Sequence, residues 1–279
     1  QIAIGDLKGN WPRELHLSDI TISDTQGVWL RIDEAELTWS PTALFRGQVH
    51  ILDFAAKTVD ISRAPLSAET ETDIPASGFS LPSLPVAVKL DQGRVDNIII
   101  GRGLVDPEAS GTLARLKLST MLNLAQETLD LSLEIARNDR LSSHLKLVAG
   151  FDQRNKSLSL DLTAEDGDKS YGGLLNEITG LGDGPLRLTA QASGVDGKVD
   201  GQMTLDNGRS LSLQVATNGK WTNELALAIT AKASGTLISD ALDGLGTPPE
   251  VALATTLTMD RRGTIGIDDL ILDAGTLTL

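Results

Sequence analysis

The chain contains no cysteine and very few aromatic residues. Its 279 residues include four Trp, four Phe and one Tyr, so aromatics amount to only 3%. The absence of cysteine excludes disulfide scaffolds, thiol nucleophiles and zinc sites with cysteine ligands. The scarcity of rings removes the side chains that usually dominate a thick hydrophobic core. Leucine takes their place, with about 45 copies, well above ordinary usage.

Positive charge and long apolar runs are also scarce. The formal net charge of −14 argues against a nucleic-acid partner, because phosphate binding needs basic patches. No run approaches the roughly 18 apolar residues of a membrane-spanning helix. A hydrophobic content of 41% is nevertheless too high for a disordered chain. Because Gln1 opens the sequence inside an apparent strand, we expect a piece of a longer protein.

The dominant pattern is a strict alternation of apolar and polar residues, which is typical of strands with one dry face. Leu129 to Ile135 shows it most clearly, and turn signals such as Asp206-Asn207-Gly208 separate the runs. Short turns of this kind predict successive antiparallel hairpins, about 18–20 strands in all. The fold class is therefore all-β. The predicted inward-facing positions are Leu15, Leu17, Ile20, Ile22, Val86, Val88, Leu90, Leu116, Leu118, Leu129, Leu131, Leu133, Ile135, Leu145, Leu147, Leu158, Leu160, Leu162, Leu186, Leu188, Leu211, Leu213, Val215, Leu225, Leu227, Ile229 and Leu253.

Three segments interrupt the alternation. Short helices are expected near 174–180 and 238–244, because each segment ends at Gly-Leu-Gly and is followed by proline. Residues 65–85 are rich in proline and acidic residues, which predicts a loop. The loop divides an N-terminal β-meander (1–64) from a longer one (86–279). We expect the two to form one continuous groove rather than independent domains.

A sheet of this size must cover its dry face in some way. Two sheets can face each other in a sandwich, or a β-helix can close around its own core. A curved sheet can also stay open as a trough whose apolar face takes up an oily ligand. The alternation alone leaves these three architectures open.

The sequence offers no convincing catalytic or metal site. Asp166, Asp168, Ser170 and Glu177 match four positions of a calcium-binding loop, but Tyr171 stands where that loop needs glycine. We therefore predict no metal, no cofactor and no enzymatic activity.

Histidine and tryptophan give equally little indication of a binding site. The three histidines are isolated in the sequence, without a neighbouring carboxylate or cysteine ligand. The tryptophans near the N-terminus are expected to pack at the mouth of the sheet rather than to stack on a ligand. These residues are His16, His50, His144, Trp11, Trp29 and Trp39.

Several motifs in residues 1–90 resemble the TamB family (translocation and assembly module subunit) of AsmA-like proteins. The motifs are Asp24-Thr25-Gln26-Gly27-Val28-Trp29-Leu30, Trp39-Ser40-Pro41, Leu44-Phe45-Arg46-Gly47, Arg63-Ala64-Pro65 and Leu84-Pro85-Val86-Ala87-Val88. Beyond residue 90 the resemblance is mainly one of pattern, including the two Gly-Leu-Gly breaks.

The resemblance carries expectations about fold and function. It implies a long antiparallel meander curved into a U-shaped trough (β-taco) with an apolar concave face, as in bridge-like lipid-transfer proteins. It also implies a periplasmic location, with an inner-membrane anchor in a segment missing here. The predicted inward positions would then bind phospholipid acyl chains on their way to the outer membrane. An outer-membrane β-barrel partner (TamA-like) would meet regions outside this fragment, linking the chain to outer-membrane protein assembly.

Two other functions are compatible with an all-β chain. The sheet can act as a scaffold or chaperone that offers β-edges to outer-membrane proteins without binding lipid. A secreted β-solenoid enzyme acting on polysaccharide is the third hypothesis. The low aromatic content argues against it, because such enzymes need stacking rings and clustered acids.

Overall fold

The chain is all-β, as the alternation predicts. The computed structural model describes residues 1–66, 86–104, 111–125, 127–138, 143–167, 185–221, 225–241, 250–259 and 265–273. Within these ranges it has sixteen strands and two short helices. The expected all-β fold class with few helices is confirmed. The described residues up to Lys146 form one compact unit (unit 1), and those from Leu147 onward form another (unit 2).

Unit 1 contains eight complete strands and the first residues of a ninth. The short strands β1 and β2 both pair with β3, and β3 to β8 follow one another in chain order. The bounds are β1 Ile2–Ala3, β2 Asp6–Lys8, β3 Glu14–Asp24, β4 Gly27–Ser40, β5 Gln48–Arg63, β6 Ala87–Gly103, β7 Thr112–Leu124, β8 Thr128–Arg137 and β9 Ser143–Asp152.

Strands β5 and β6 are parallel, which corrects the prediction of a purely antiparallel meander. Gln48 pairs with Ala87 and Ile61 with Ile100, so both strands run in the same direction. Parallel neighbours need a crossover connection of a dozen residues or more. The 23 residues 64–86 between the two strands meet that need and contain the predicted loop 65–85, of which the structure describes residues 65 and 66. The loop thus connects two strands of the same sheet.

Irregular steps interrupt the ladders of unit 1. On β6, Asp91 and Gln92 oppose the single residue Met121 of β7, and Asp96 and Asn97 oppose Lys117. Such β-bulges reverse the side to which later residues of the strand point. On β3, Asp19 adopts a left-handed backbone with φ 51°, which has the same effect there.

Unit 2 is a regular antiparallel ladder. Strands β10 to β15 pair over their length without a register shift, and a single shift separates Ala254 from Thr256 opposite β16. The bounds are β10 Ser157–Asp166, β11 Leu186–Val195, β12 Lys198–Asp206, β13 Ser212–Trp221, β14 Leu225–Ser234, β15 Glu250–Met259 and β16 Ile265–Asp273.

The helices are short. A 3₁₀ helix spans Pro41–Arg46 and an α-helix, α1, spans Thr236–Ala241. Helix α1 overlaps the segment 238–244 in which the sequence predicts a helix. The other predicted helix, 174–180, lies outside the described residues. In the described part of the chain, neither helix has the length or the apolar character to cross a bilayer.

The buried residues are few and mostly small. In unit 1 the core centres on Ala35, Ala56 and Val95, with larger side chains such as Ile32 and Phe54 packed around them. The long aliphatic side chains of the sheets remain half-buried. In each unit the described strands form one sheet, with no second sheet over it. Of the three architectures, the sandwich and the β-helix therefore do not describe these units.

Candidate functional site

One face of the unit 2 sheet collects the apolar positions of its alternating strands. Residues paired across strands point to the same face. Leu162 pairs with Ala190, and Ala190 pairs with Met203. Met203 pairs with Val215, and Val215 with Ala231. We call these residues, and those in register on either side of them, the apolar face of unit 2. Its sequence-predicted members are Leu158, Leu160, Leu162, Leu186, Leu188, Leu213, Val215, Leu227, Ile229 and Leu253.

Between β10 and β11, large side chains of this face stand opposite small ones. Leu158 pairs with Gly194, and Leu160 with Ala192. A Cβ atom added at Gly194 would lie 3.0 Å from Leu158 Cγ, so the leucine leans over the glycine. Elsewhere on this face leucines stand opposite each other, as Leu188 does opposite Leu205 and Leu205 opposite Leu213. The result is a continuous aliphatic surface.

Unit 1 has an equivalent face, which we call the apolar face of unit 1. One row across it pairs Leu17 with Ala35, Ala35 with Ala56 and Ala56 with Val95. Val95 then pairs with Leu118, which completes the row towards β8. The sequence-predicted members are Leu15, Leu17, Ile20, Ile22, Val88, Leu90, Leu116, Leu118, Leu129, Leu131, Leu133 and Ile135.

The left-handed residue in β3 keeps the predicted set on one face. Leu17 and Ile20 differ in parity and would point to opposite sides of a regular strand. Because Asp19 breaks the alternation between them, Leu17 pairs with Ala35 and Ile20 with Ile32, both on the apolar face. Strands β4 to β6 break their alternation at the matching position. The rows of apolar residues on both sides of that position therefore stay aligned across the sheet.

Four predicted positions fall outside these paired rows, and a fifth, Leu225, lies at their edge. Val86 and Leu211 directly precede β6 and β13 and are half-buried. Leu145 and Leu147 lie in β9, where half-buried residues alternate with exposed ones. Leu225 takes the register position paired with Met259. For every predicted position, contact with lipid stays a prediction.

Both faces have further members that were not among the predicted positions. In β12, the segment from Lys198 to Asp206 alternates regularly, so the alternation could have predicted its inward residues as well. In β4 to β6 the bulges break the alternation, so the two-residue period marks only short stretches such as Leu30 to Ile32 and leaves most apolar positions without a signal. The missed residues are Leu30, Ile32, Leu37, Phe54, Val59, Ile61, Val95, Ile98, Ile100, Val199, Met203 and Leu205.

The opposite face of each sheet is polar and carries cross-strand ion pairs. In unit 1, Lys57 Nζ lies 3.3 Å from Glu34 Oε2. In unit 2, Lys232 Nζ lies 3.0 Å from Glu250 Oε1. Exposed pairs of this kind contribute little stability. They keep the outer face hydrated, so each sheet has one wet and one aliphatic side.

The three histidines each lie beside a carboxylate, which corrects their description as isolated. His16 Nδ1 is 3.5 Å from Glu36 Oε1, and His144 Nε2 is 3.2 Å from Glu134 Oε1. His50 Nε2 is 2.7 Å from Asp91 Oδ2. Hydrogen bonds from Lys89 and from His50 hold the pKa of Asp91 below its usual range. The partners were hidden from sequence reasoning because they lie on neighbouring strands.

No group of residues in the described part of the chain is arranged to hold a metal ion. Asp166, from the rejected calcium loop, is buried at the end of β10. Its other positions, Asp168, Ser170, Tyr171 and Glu177, lie outside the described residues. The absence of a metal and of a cofactor therefore stays a prediction.

Two of the motifs noted in the sequence contact each other in unit 1. The Asp24 carboxylate accepts hydrogen bonds from Arg63 Nη1 at 2.8 Å and Nη2 at 2.6 Å. It also accepts them from the backbone N–H groups of Gln26 and Leu66. These bonds, those of Arg63 first, hold the pKa of Asp24 well below its ordinary value. They fasten the β3–β4 turn to the end of β5, where the crossover to β6 begins.

Two other motifs lie at the connection between β4 and β5. Trp39-Ser40-Pro41 ends β4 and opens the 3₁₀ helix, and Gly47 closes the helix in a left-handed conformation with φ 70°. Residues 1–103, which include these motifs, match the family model described as TamB, N-terminal domain. This part of the chain is thus similar to the N-terminal domain of TamB proteins. The family resemblance drawn from residues 1–90 is thereby confirmed.

The matched residues contain β1 to β6 and therefore the parallel strand pair and the contact between Asp24 and Arg63. The strands of unit 2 lie beyond the matched residues. Comparisons of the whole chain with curated proteins and with solved structures found no match.

Proposed function

We propose that the chain is a periplasmic segment of an inner-membrane-anchored bridge that conducts phospholipids towards the outer membrane. In this proposal the acyl chains lie along the apolar faces of the sheets, and the chain also supports outer-membrane protein assembly. It performs no chemistry of its own. Support comes from the TamB N-terminal domain at residues 1–103 and from the character of the apolar faces.

One observation carries the proposal. The apolar faces are lined with long aliphatic side chains that remain half-buried, such as Leu131, Leu160 and Leu227. A face of that extent on which none of the described segments packs is costly in water and is uncommon unless it binds something. Aliphatic side chains suit flexible acyl chains, because they distinguish chain volume and little else.

The energetics favour a continuous surface of this kind. Exposing an acyl chain to water costs about 0.8 kcal/mol per methylene, so two sixteen-carbon tails would cost on the order of 25 kcal/mol in the open. Contact with an aliphatic face removes much of that cost, while the charged headgroup remains in water. The net charge of −14 helps to keep a sheet with such large apolar faces in solution.

The test is lipid co-purification after export of the 279-residue chain to a bacterial periplasm. Met203 and Val215 form a cross-strand pair on the apolar face of unit 2. We expect Met203→Lys combined with Val215→Asp to reduce co-purified phospholipid several-fold, because burying acyl chains against charged groups is unfavourable. Native mass spectrometry with lipid extraction measures the bound lipid.

A matched control lies one residue away on the same strands. Gln202 and Ala216 also pair, but on the polar face, where both are exposed. Gln202→Lys with Ala216→Asp introduces the same charges and should leave lipid binding unchanged. Normal lipid content in the folded inward variant would falsify the proposal, and so would a wild-type chain that is folded and free of lipid.

A second candidate is the scaffold function, in which strands of outer-membrane proteins pair with the sheet edge. It is favoured by β16, the last strand in the sheet order, where Ile267, Ile271 and Leu272 are exposed. Strand addition depends on backbone hydrogen bonds, so it should tolerate charges on the apolar face of unit 2. The charged pair at Met203 and Val215 therefore separates the two functions.

A further inference from the structure

One end of unit 1 exposes large apolar side chains. Phe45 is 92% exposed, Trp11 74% and Leu44 46%. The chain has only four Phe and four Trp, and a large ring left in water is the informative kind of exposure. The expectation that Trp11 packs at the mouth of the sheet is therefore wrong. We call Trp11, Leu44 and Phe45 the aromatic end.

The 3₁₀ helix presents two of these side chains. Ala43 is fully buried, so the helix is fixed to the sheet on the side of that residue. Gly47 donates its backbone N–H to Leu44 O at 2.9 Å and ends the helix. Anchored at both points, the helix directs Leu44 and Phe45 outward. Their exposure follows from how the helix is held.

Trp11 is held at the same end of unit 1. The backbone N–H of Trp39 donates to Arg13 O at 3.0 Å, and the Trp39 indole donates to Pro12 O. Trp39 pairs with Ile51 on the apolar face, and the 3₁₀ helix begins two residues after it. The aromatic end therefore lies where the apolar face of unit 1 reaches the end of its strands.

Two cations accompany these side chains. Arg13 and Arg46 are both exposed, and neither has an ion pair within the described part of the chain. Neighbouring charges include the exposed Glu14 and the ion pair of Lys8 with Asp6 at 2.5 Å. Ser40, just before the helix, pairs with His50, and Asp91 lies beside both His50 and Lys89. Exposed rings beside arginines are typical of surfaces that enter the headgroup region of anionic membranes.

We propose that the aromatic end docks on the surface of an anionic phospholipid bilayer. Trp11, Leu44 and Phe45 enter the boundary between headgroups and acyl chains, while Arg13 and Arg46 bind lipid phosphates. The inference rests on the proposed function, because docking there brings the end of an acyl-chain-binding face to the membrane that supplies the lipid. It adds a membrane contact formed by folded sheet residues.

The experiment is flotation of the 279-residue chain with lipid vesicles. We expect binding to vesicles of phosphatidylglycerol and phosphatidylethanolamine, and weaker binding to pure phosphatidylcholine. Trp11→Ser with Phe45→Ser should weaken binding at least tenfold, because two rings lose their contact with the bilayer. Arg13→Gln with Arg46→Gln should remove most of the dependence on salt and on anionic lipid.

The matched control removes apolar side chains that are exposed elsewhere. Met121 and Val195 are 55% and 66% exposed, and Met121→Ser with Val195→Ser should bind vesicles like the wild type. Co-purified lipid is measured on the same variants. The variant with Met203→Lys and Val215→Asp should lose this lipid but keep vesicle binding. The variant with Trp11→Ser and Phe45→Ser should keep the lipid but lose vesicle binding. Failure of this inference is thus distinguishable from failure of the proposed function.

Three results would overturn the inference. The first is a wild-type chain that does not float with anionic vesicles. The second is equal binding by the Trp11 and Phe45 variant, or an equal loss in the control. The third is a variant that loses self-association in sedimentation while vesicle binding is unchanged, which would assign the aromatic end to a second copy of the chain.

Discussion

Asp24 illustrates how a single side chain organises the part of the chain that matches the TamB N-terminal domain. Its carboxylate joins the β3–β4 turn to Arg63 at the end of β5 and to Leu66 at the start of the crossover. The motifs that contain Asp24 and Arg63 are 39 residues apart in the sequence. Their contact gives a physical reason for the presence of both in one domain.

The pKa of Asp24 predicts how this contact depends on pH. Because the pKa is lower in the folded state than its unfolded value of about 4, the contact stabilises the fold above that pH. The stabilisation is lost as the pH falls from about 4 towards the folded pKa. We expect Asp24→Asn to lower the melting temperature at pH 7, with a difference from the wild type that shrinks below pH 4. Thermal unfolding followed by circular dichroism between pH 7 and pH 2.5 measures this.

Asp200→Asn is the control for that series. Asp200 is exposed on the polar face of unit 2, so its substitution should leave the melting temperature nearly unchanged at every pH. A difference between Asp24→Asn and the wild type that stays constant down to pH 2.5 would contradict the assignment of the effect to the Asp24 carboxylate.

At the scale of strands, the bulges of β6 set which residues reach the apolar face. Asn138 supports one of them from the end of β8. Its Nδ2 donates to Asp96 O at 3.1 Å and to Asn97 Oδ1 at 3.4 Å. The side chain thus binds the two residues that oppose Lys117.

We expect Asn138→Ala to lower the free energy of unfolding by about 0.5–1 kcal/mol, the usual net contribution of such a hydrogen bond. Urea denaturation measures the change. Asn123 is the comparison, because its Nδ2 contacts only Asp130 on a regular stretch of the ladder, and Asn123→Ala should cost less. An equal loss in both variants would show that the bulge does not depend on Asn138.

The sequence predicts regular strands far better than irregular ones. In unit 2 the alternation alone identified Leu158, Leu160 and Leu162 as one set, and the register places them on one face. In β4 to β6 the two-residue period fails at each bulge, so Val95 and Ile98 carried no signal. The parallel pairing of β5 with β6 was also missed, because alternation reports which face is dry and says nothing about strand direction. The ion-pair partners of the histidines were missed for the same reason, because alternation does not show which strands are neighbours.

At the scale of the whole molecule, net charge and apolar surface oppose each other. The formal charge of −14 at pH 7 repels neighbouring copies, whereas the apolar faces and the aromatic end favour association. Near the isoelectric point of about 4.6 the repulsion disappears. The balance between the two is therefore set by pH.

We expect light scattering of the lipid-free chain at fixed salt to rise steeply as the pH is lowered from 7.5 to 5. Adding a mild detergent, which covers aliphatic surfaces, should suppress the rise at the same pH. Scattering that is unaffected by detergent would show that association uses the polar faces. Scattering that does not change with pH would contradict the proposed balance.

The parallel pair of β5 and β6 also has a consequence for the order in which unit 1 assembles. Strands β3 and β4 are joined by a short connection, and so are β6 and β7. Each of these pairs can form as soon as both of its strands have been synthesised. β6 reaches β5 only after the 23 residues 64–86 have closed, and closing a longer loop costs more entropy. Pairings distant in sequence form late for this reason. We therefore expect unit 1 to form first as two separate sheets, one ending at β5 and the other beginning at β6. The two sheets then join when β5 pairs with β6.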